Sequence, residues 1–125
     1  MEKQVVATKN APGAAGPYVQ ATKLENIIYC SGQLGINPAE GKLAATVEEQ
    51  AHCSMKNLGA ILREAGSDYS KILKTTIFLT NMDDFSTVNE VYQSYFDGQY
   101  PARSCVQVAK LPLGGLVEVE CVAFL

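Results

Sequence analysis

The side chains best suited to chemistry gather toward the C-terminal end. Arg103 sits in Tyr100-Pro101-Ala102-Arg103-Ser104-Cys105, where Pro101 closes an irregular stretch and a strand opens behind it. A guanidinium fixed at the mouth of a strand can hold a carboxylate through two parallel hydrogen bonds. Taken alone, its simplest partner is one of the chain's own carboxylates, Glu118 or Glu120 in Val117-Glu118-Val119-Glu120. In a strand these two share a face, about 7 Å apart. A carboxylate on a covered face is costly unless it is paired, hydrogen-bonded or working, and a salt-bridged structural pair is favoured there over a catalytic acid. Two patches allow a ligand to approach backbone closely. They are Ser31-Gly32-Gln33, equally readable as a strand bulge, and the main chain of Ser104 and Cys105.

Other chemistries find little support. The single His52 falls on a helical stretch beside its apolar stripe, so no Ser-His-Asp or Cys-His set assembles, and His52 reads as a structural or surface residue. Cys30, Cys53, Cys105 and Cys121 are widely separated with no C-x-x-C pair, which argues against a metal. Three of them read as small apolar thiols in a reducing cytosol, while Cys105 is set apart by its neighbours. Ten Lys plus Arg against 13 Asp plus Glu give a net charge of -3, which argues against a nucleic-acid partner. No window approaches the roughly 18 uninterrupted apolar residues of a membrane span, and Met1-Glu2-Lys3-Gln4-Val5-Val6 lacks the apolar stretch of a signal peptide. The expectation is a cytoplasmic protein with no membrane partner, its residues 1–125 forming one domain. Such a chain buries roughly two thirds of its unfolded surface and needs no metal or disulfide for stability.

The elements that must position these residues follow from periodicity. After a Gly- and Pro-rich loop from Ala11 to Pro17, Tyr18–Leu24 and Ile27–Ile36 predict a hairpin turned at Glu25-Asn26, with Gly35 as a bulge or end. Asn37 to Gly41 breaks the pattern. Thr46-Val47-Glu48-Glu49 has the form of a capping box, and Ala51, Met55, Leu58, Leu62 and Ala65 then make one apolar stripe stopped by Gly66. Ile72–Thr80 predicts a strand with Leu73, Thr75, Ile77 and Leu79 on one side. Asp83 or Asp84 caps a second helix on which Phe85, Val88, Tyr92, Tyr95 and Phe96 share a face. Ser104–Ala109 and Leu116–Leu125 are the last strands, and Gln4–Thr8 the first. The order βββαβαββ predicts an α+β fold with a mixed, mostly antiparallel sheet of five or six strands and two helices on one face.

Alternation in the last strand puts Val117, Val119, Cys121, Ala123 and Leu125 on one side, and Leu116, Glu118, Glu120, Val122 and Phe124 on the other. Both sides are largely apolar, and two helices cover only one of them. The second face calls for another cover, most simply another copy of the chain.

Taken in order, several segments resemble the Rid (YjgF-like) family of reactive intermediate deaminases, whose older names are L-PSP endoribonuclease and translation inhibitor. They are Asn10-Ala11-Pro12, Gly16-Pro17-Tyr18-Val19-Gln20, Ser31-Gly32-Gln33, Phe85-Ser86-Thr87-Val88-Asn89, Pro101 to Cys105, Leu111-Pro112 and Val117 to Glu120. The set is specific where any one piece is not. The resemblance implies a chorismate-mutase-like fold assembled as a homotrimer around an inner barrel, with ligand clefts between subunits. It implies hydrolysis of small enamine and imine acids, such as 2-aminoacrylate and 2-iminobutanoate, to 2-keto acids and ammonia without a cofactor. By correspondence, Arg103 would clamp the substrate carboxylate and Glu118 would activate water. Main-chain groups at Gly32 and Cys105 would hold the imine end, and Tyr18, Ser31 and Asn89 would line the cleft. An endoribonuclease, or a trimer that binds keto acids or acts as a chaperone without turnover, are the alternatives.

Overall fold

The computed structural model describes residues 1–125. Strands β1 (Gln4–Val6), β2 (Ala21–Leu24), β3 (Ile27–Leu34), β6 (Ile72–Leu79), β7 (Ala102–Gln107) and β8 (Val117–Phe124) form one sheet in the order β1-β2-β3-β8-β6-β7. Between β3 and the first helix lies a small hairpin, β4 (Ile36–Asn37) with β5 (Lys42–Leu43). The sequence pattern did not resolve it, because two-residue strands leave no periodicity to read. All neighbours in the large sheet run antiparallel except β6 and β7. That parallel pair needs a crossover, which α2 (Phe85–Gln93) supplies.

Helix α1 (Val47–Ala65) begins as its sequence dictates. Thr46 accepts a hydrogen bond from the Glu49 amide, and Glu49 Oε1 lies 3.2 Å from the Thr46 hydroxyl. The helix ends at Gly66, whose φ of 92° is left-handed and suits glycine. The expected stripe from Ala51 to Ala65 is buried against the sheet, and α2 packs beside α1 on the same face. Val117, Val119, Cys121 and Ala123 of β8 meet this core, where Cys30 and Cys121 face one another across β3 and β8 as free thiols. No helix is long and apolar enough to cross a membrane.

Three local expectations are corrected. Leu73 is 47% exposed rather than inward, because the register of β6 against β8 slips between Ile72 and Lys74. Helix α2 has no side-chain cap from Asp84, and Asn81 instead caps the short helical turn Met82–Asp84 that leads into it. Phe85 stands at the rim, and Tyr95 and Phe96 lie beyond the last turn of α2, packed against the core.

The second sheet face is open. Glu118, Glu120, Val122 and Phe124 project there, together with Tyr29 opposite Val122. Tyr29 is 55% and Phe124 37% exposed, a level of apolar exposure at a sheet centre that calls for a cover.

Candidate active site

Strand register divides the candidate residues between the two faces of the sheet. Arg103 pairs with Thr75, whose side chain is buried beneath the helices and bonded to the Tyr92 hydroxyl at 2.7 Å. Arg103 therefore points to the helix side. Its Nη1 donates to Asn89 Oδ1 at 2.7 Å, and its guanidinium lies 5.0 Å from the Tyr92 ring centre and 5.6 Å from that of Phe85. All three partners stand on one side of α2 at spacings of four and three residues. The cation is held flat by stacking and one hydrogen bond, with guanidinium donors left over for an anion. It opens on a cavity of about 390 Å³ bounded by Asn89, Tyr92, Gln93, Tyr100 and Pro101. Cys105, two residues on, shares the helix side, and burial pushes its thiol pKa up despite the neighbouring Arg103. A thiol so shifted is a poor nucleophile at neutral pH.

Glu118 pairs with Leu34 on one side and Phe78 on the other, on the open face. Its carboxyl lies over Gly32, so closely that a Cβ at that position would stand 2.8 Å from Glu118 Cδ. A bulge in β3 between Cys30 and Gln33 makes room for this approach. Burial, and then the charge of Glu120, raise the Glu118 pKa, and no cation offsets them. The carboxyl faces a cavity of about 300 Å³ lined by Tyr18, Gly32, Leu34, Ile36, Pro112 and Leu113 among others. It is the only charged group in that lining. Tyr18 is half exposed at its rim, its hydroxyl 3.4 Å from the Ala15 amide. Ser31 is placed differently, since its hydroxyl donates to the Val19 carbonyl at 2.7 Å and ties β3 to the preceding loop.

The two groups do not meet in one chain. Arg103 is level with Thr75 and hence with Cys121, three residues along β8 from Glu118, which is about 10 Å along the strands and two strand spacings across. The expected ion pair of Arg103 with Glu118 or Glu120 is thereby overturned, because the register puts cation and carboxylates on opposite faces. Glu120 is exposed and faces Thr76. The sequence reading also missed Phe85 and Tyr92 as the platform beneath Arg103, although their spacing from Asn89 was there to be read. His52 is structural, its Nδ1 2.8 Å from the Tyr95 hydroxyl. A wider groove of about 630 Å³ on the outer side of α1 holds none of the candidates.

Two helices on one face of a mostly antiparallel, mixed six-stranded sheet give the chain the chorismate-mutase-like, YjgF/Rid fold. The chain belongs to the Endoribonuclease L-PSP family, whose pattern it matches over residues 8–125. It is 49% identical over 126 residues to Reactive Intermediate Deaminase A of Arabidopsis thaliana, covering 100% of this chain and 67% of that protein. It is 48% identical to 2-iminobutanoate/2-iminopropanoate deaminase of Mus musculus, covering 97% of this chain and 90% of that one. The solved structure of E. coli TdcF with bound serine superposes with a TM-score of 0.95 at 43% identity, covering 98% of both chains.

Proposed function

We propose that this chain is a 2-iminobutanoate/2-iminopropanoate deaminase, which hydrolyses small imino and enamino acids to 2-keto acids and ammonia. The observation that carries the reading is the pair of unfinished half-sites. A guanidinium with free donors is anchored on one face, and a carboxylate with a raised pKa and no cation faces a cavity on the other. The names of the relatives support the same reaction. Residues 1–125 act as one domain, and its open face is covered by other copies in a homotrimer, so that Arg103 of one subunit and Glu118 of the next share a cleft.

In that cleft Arg103 holds the substrate carboxylate by a two-point contact, fixing the imine carbon before Glu118. Glu118 takes a proton from water as the oxygen attacks that carbon, breaking the C=N π bond and giving a carbinolamine. The proton then passes to nitrogen, and as the C–N bond breaks Glu118 takes the hydroxyl proton, so that the C=O bond forms, ammonia leaves a keto acid and picks up that proton from Glu118 as ammonium. A carboxylate with an elevated pKa is suited to taking and returning this proton near neutrality. Because a protonated imine carbon is already electrophilic, orientation and one base suffice, and neither a cofactor nor the Cys105 thiol is called on. Main-chain groups at Gly32 and Cys105 hold the imine end, while Tyr18, Ser31 and Asn89 shape the cleft. An endoribonuclease fits less well, since a chain of net charge -3 offers no broad surface for phosphates.

The test is release of keto acid and ammonia from 2-iminobutanoate generated in situ by a dehydratase. Wild type should accelerate it and Arg103→Ala should not. No acceleration by wild type would leave a binding protein without turnover.

A further inference from the structure

Beside Glu118 the chain does something unusual. Between the Pro112 carbonyl and the Gly115 amide, which are hydrogen-bonded at 3.0 Å, Leu113 takes φ 60° and ψ 14°. This is the left-handed region, which a branched side chain enters at a cost. The same residue is 76% exposed, although it is large and apolar. Neither feature is an accident of a loose loop. A Cβ at Gly115 would stand 2.8 Å from Leu34 Cδ2, so the turn sits tightly on the cavity wall. The Leu116 amide donates at 2.9 Å to the Oε1 of Gln50, a buried residue whose Nε2 is tied to the Ala44 carbonyl. The C-terminal side of the turn is thus fixed and its Pro112–Gly115 hydrogen bond closes it, so that one leucine is held out at the lining of the cavity that contains Glu118.

The cavity explains what such a leucine can do. Leu34, Ile36, Pro112 and Leu113 form an apolar wall beside the single carboxylate, in a space of about 300 Å³. With the substrate carboxylate on the clamp and the imine carbon at Glu118, the substrate's own side chain is the part left to fill it. We infer that Leu113 is a specificity-determining residue, which closes this wall over an aliphatic substrate side chain and favours branched four-carbon side chains over a methyl group. The inference rests on the deaminase reading for the orientation of the substrate. The left-handed backbone at Leu113 is then retained because it aims the side chain.

The test compares two imines, 2-iminopropanoate and 2-imino-4-methylpentanoate, generated in situ from alanine and leucine by an amino-acid oxidase. Leu113→Gly removes the side chain and suits the left-handed backbone, so it should fold at least as stably as wild type. It should lose about tenfold in kcat/KM on the branched imine, mainly through KM, and change less than twofold on the methyl one. Leu113→Met should restore most of the preference. Calorimetric binding of 4-methyl-2-oxopentanoate and pyruvate reads the same discrimination without turnover, so the wall can be tested even if wild type hydrolyses neither imine. Equal losses on both imines, or equal binding of both keto acids by wild type and Leu113→Gly, would overturn the inference. So would a drop in oligomeric mass in Leu113→Gly, since Leu113 would then be an interface contact.

Discussion

The clamp half and the carboxylate half of the proposed cleft are built on opposite principles. Arg103 is surrounded within its own chain, stacked on Tyr92 and Phe85 and bonded to Asn89, so its position is set before any ligand arrives. Glu118 is left in want of partners, with burial and the Glu120 charge both opposing its ionisation. The difference teaches that the chain's internal contacts hold Arg103 in one orientation while they leave Glu118 destabilised in its charged form. It also teaches that the fold of one chain cannot bring the halves together, because the register of β7 and β8 against β6 fixes them on different faces.

The largest effect should come from removing the carboxylate proposed to act as the base. Glu118→Gln keeps the shape and loses the base, and turnover by folded protein should fall roughly a hundredfold to ten-thousandfold. In wild type the rate should decline with acidity through a pKa above the ordinary glutamate value of 4.5, since only ionised Glu118 accepts a proton, and this limb should vanish in the variant's residual rate. The stability sign runs the other way. A carboxyl with a raised pKa in the fold stabilises it when protonated, a contribution full below pH 4.5 and lost as pH rises through the raised value. Glu118→Gln should therefore melt no lower than wild type at neutral pH, and a clear destabilisation would make Glu118 a structural group.

Next comes the face the two halves would share between subunits. Val122→Asp puts an unpaired charge at the centre of the open face, and if that face is covered by other copies the variant should lose several kcal/mol of assembly energy. Light scattering should show trimer for wild type and smaller species for the variant. An active, trimeric variant would refute the covered face. Within the clamp half, Arg103→Lys keeps the charge but loses the planar two-point contact and the stacking, for an expected loss of about a hundredfold in kcat/KM. Unchanged kinetics would return Arg103 to a purely structural role. Smallest of all should be Glu120→Gln, which removes an exposed charge that only disfavours ionisation of Glu118. Its turnover should stay near wild type, with the acid limb moved slightly to lower pH.

Much of this fold was legible where a local rule has one outcome. The capping box at Thr46, the stop at Gly66 and the alternation of β8 follow from side-chain chemistry within a few residues. The open face was equally legible, because two helices cannot cover both sides of a sheet. Less accessible was anything that depends on register. Leu73 points outward because of a slip against β8, and alternation within β6 alone cannot reveal it. The expected pairing of Arg103 with Glu118 or Glu120 failed for the same reason, since residue type favours an ion pair but strand order decides which face each side chain takes. Resemblance supplied Tyr18 and Asn89. The platform of Phe85 and Tyr92 around Asn89 needed the helix to be placed against β7 before its purpose could be read.

The most direct test of a cleft shared between subunits is complementation. Arg103→Ala and Glu118→Gln are each prepared as inactive trimers, mixed in equal amounts, dissociated and reassembled, and then assayed on 2-iminobutanoate. If each cleft takes its arginine from one chain and its glutamate from another, random mixing leaves about a quarter of the clefts with both native groups, and activity should rise toward that fraction of wild type. Activity that stays at the level of the parent variants, in mixed trimers verified by mass, would put both groups in the service of a single chain and contradict the division between faces.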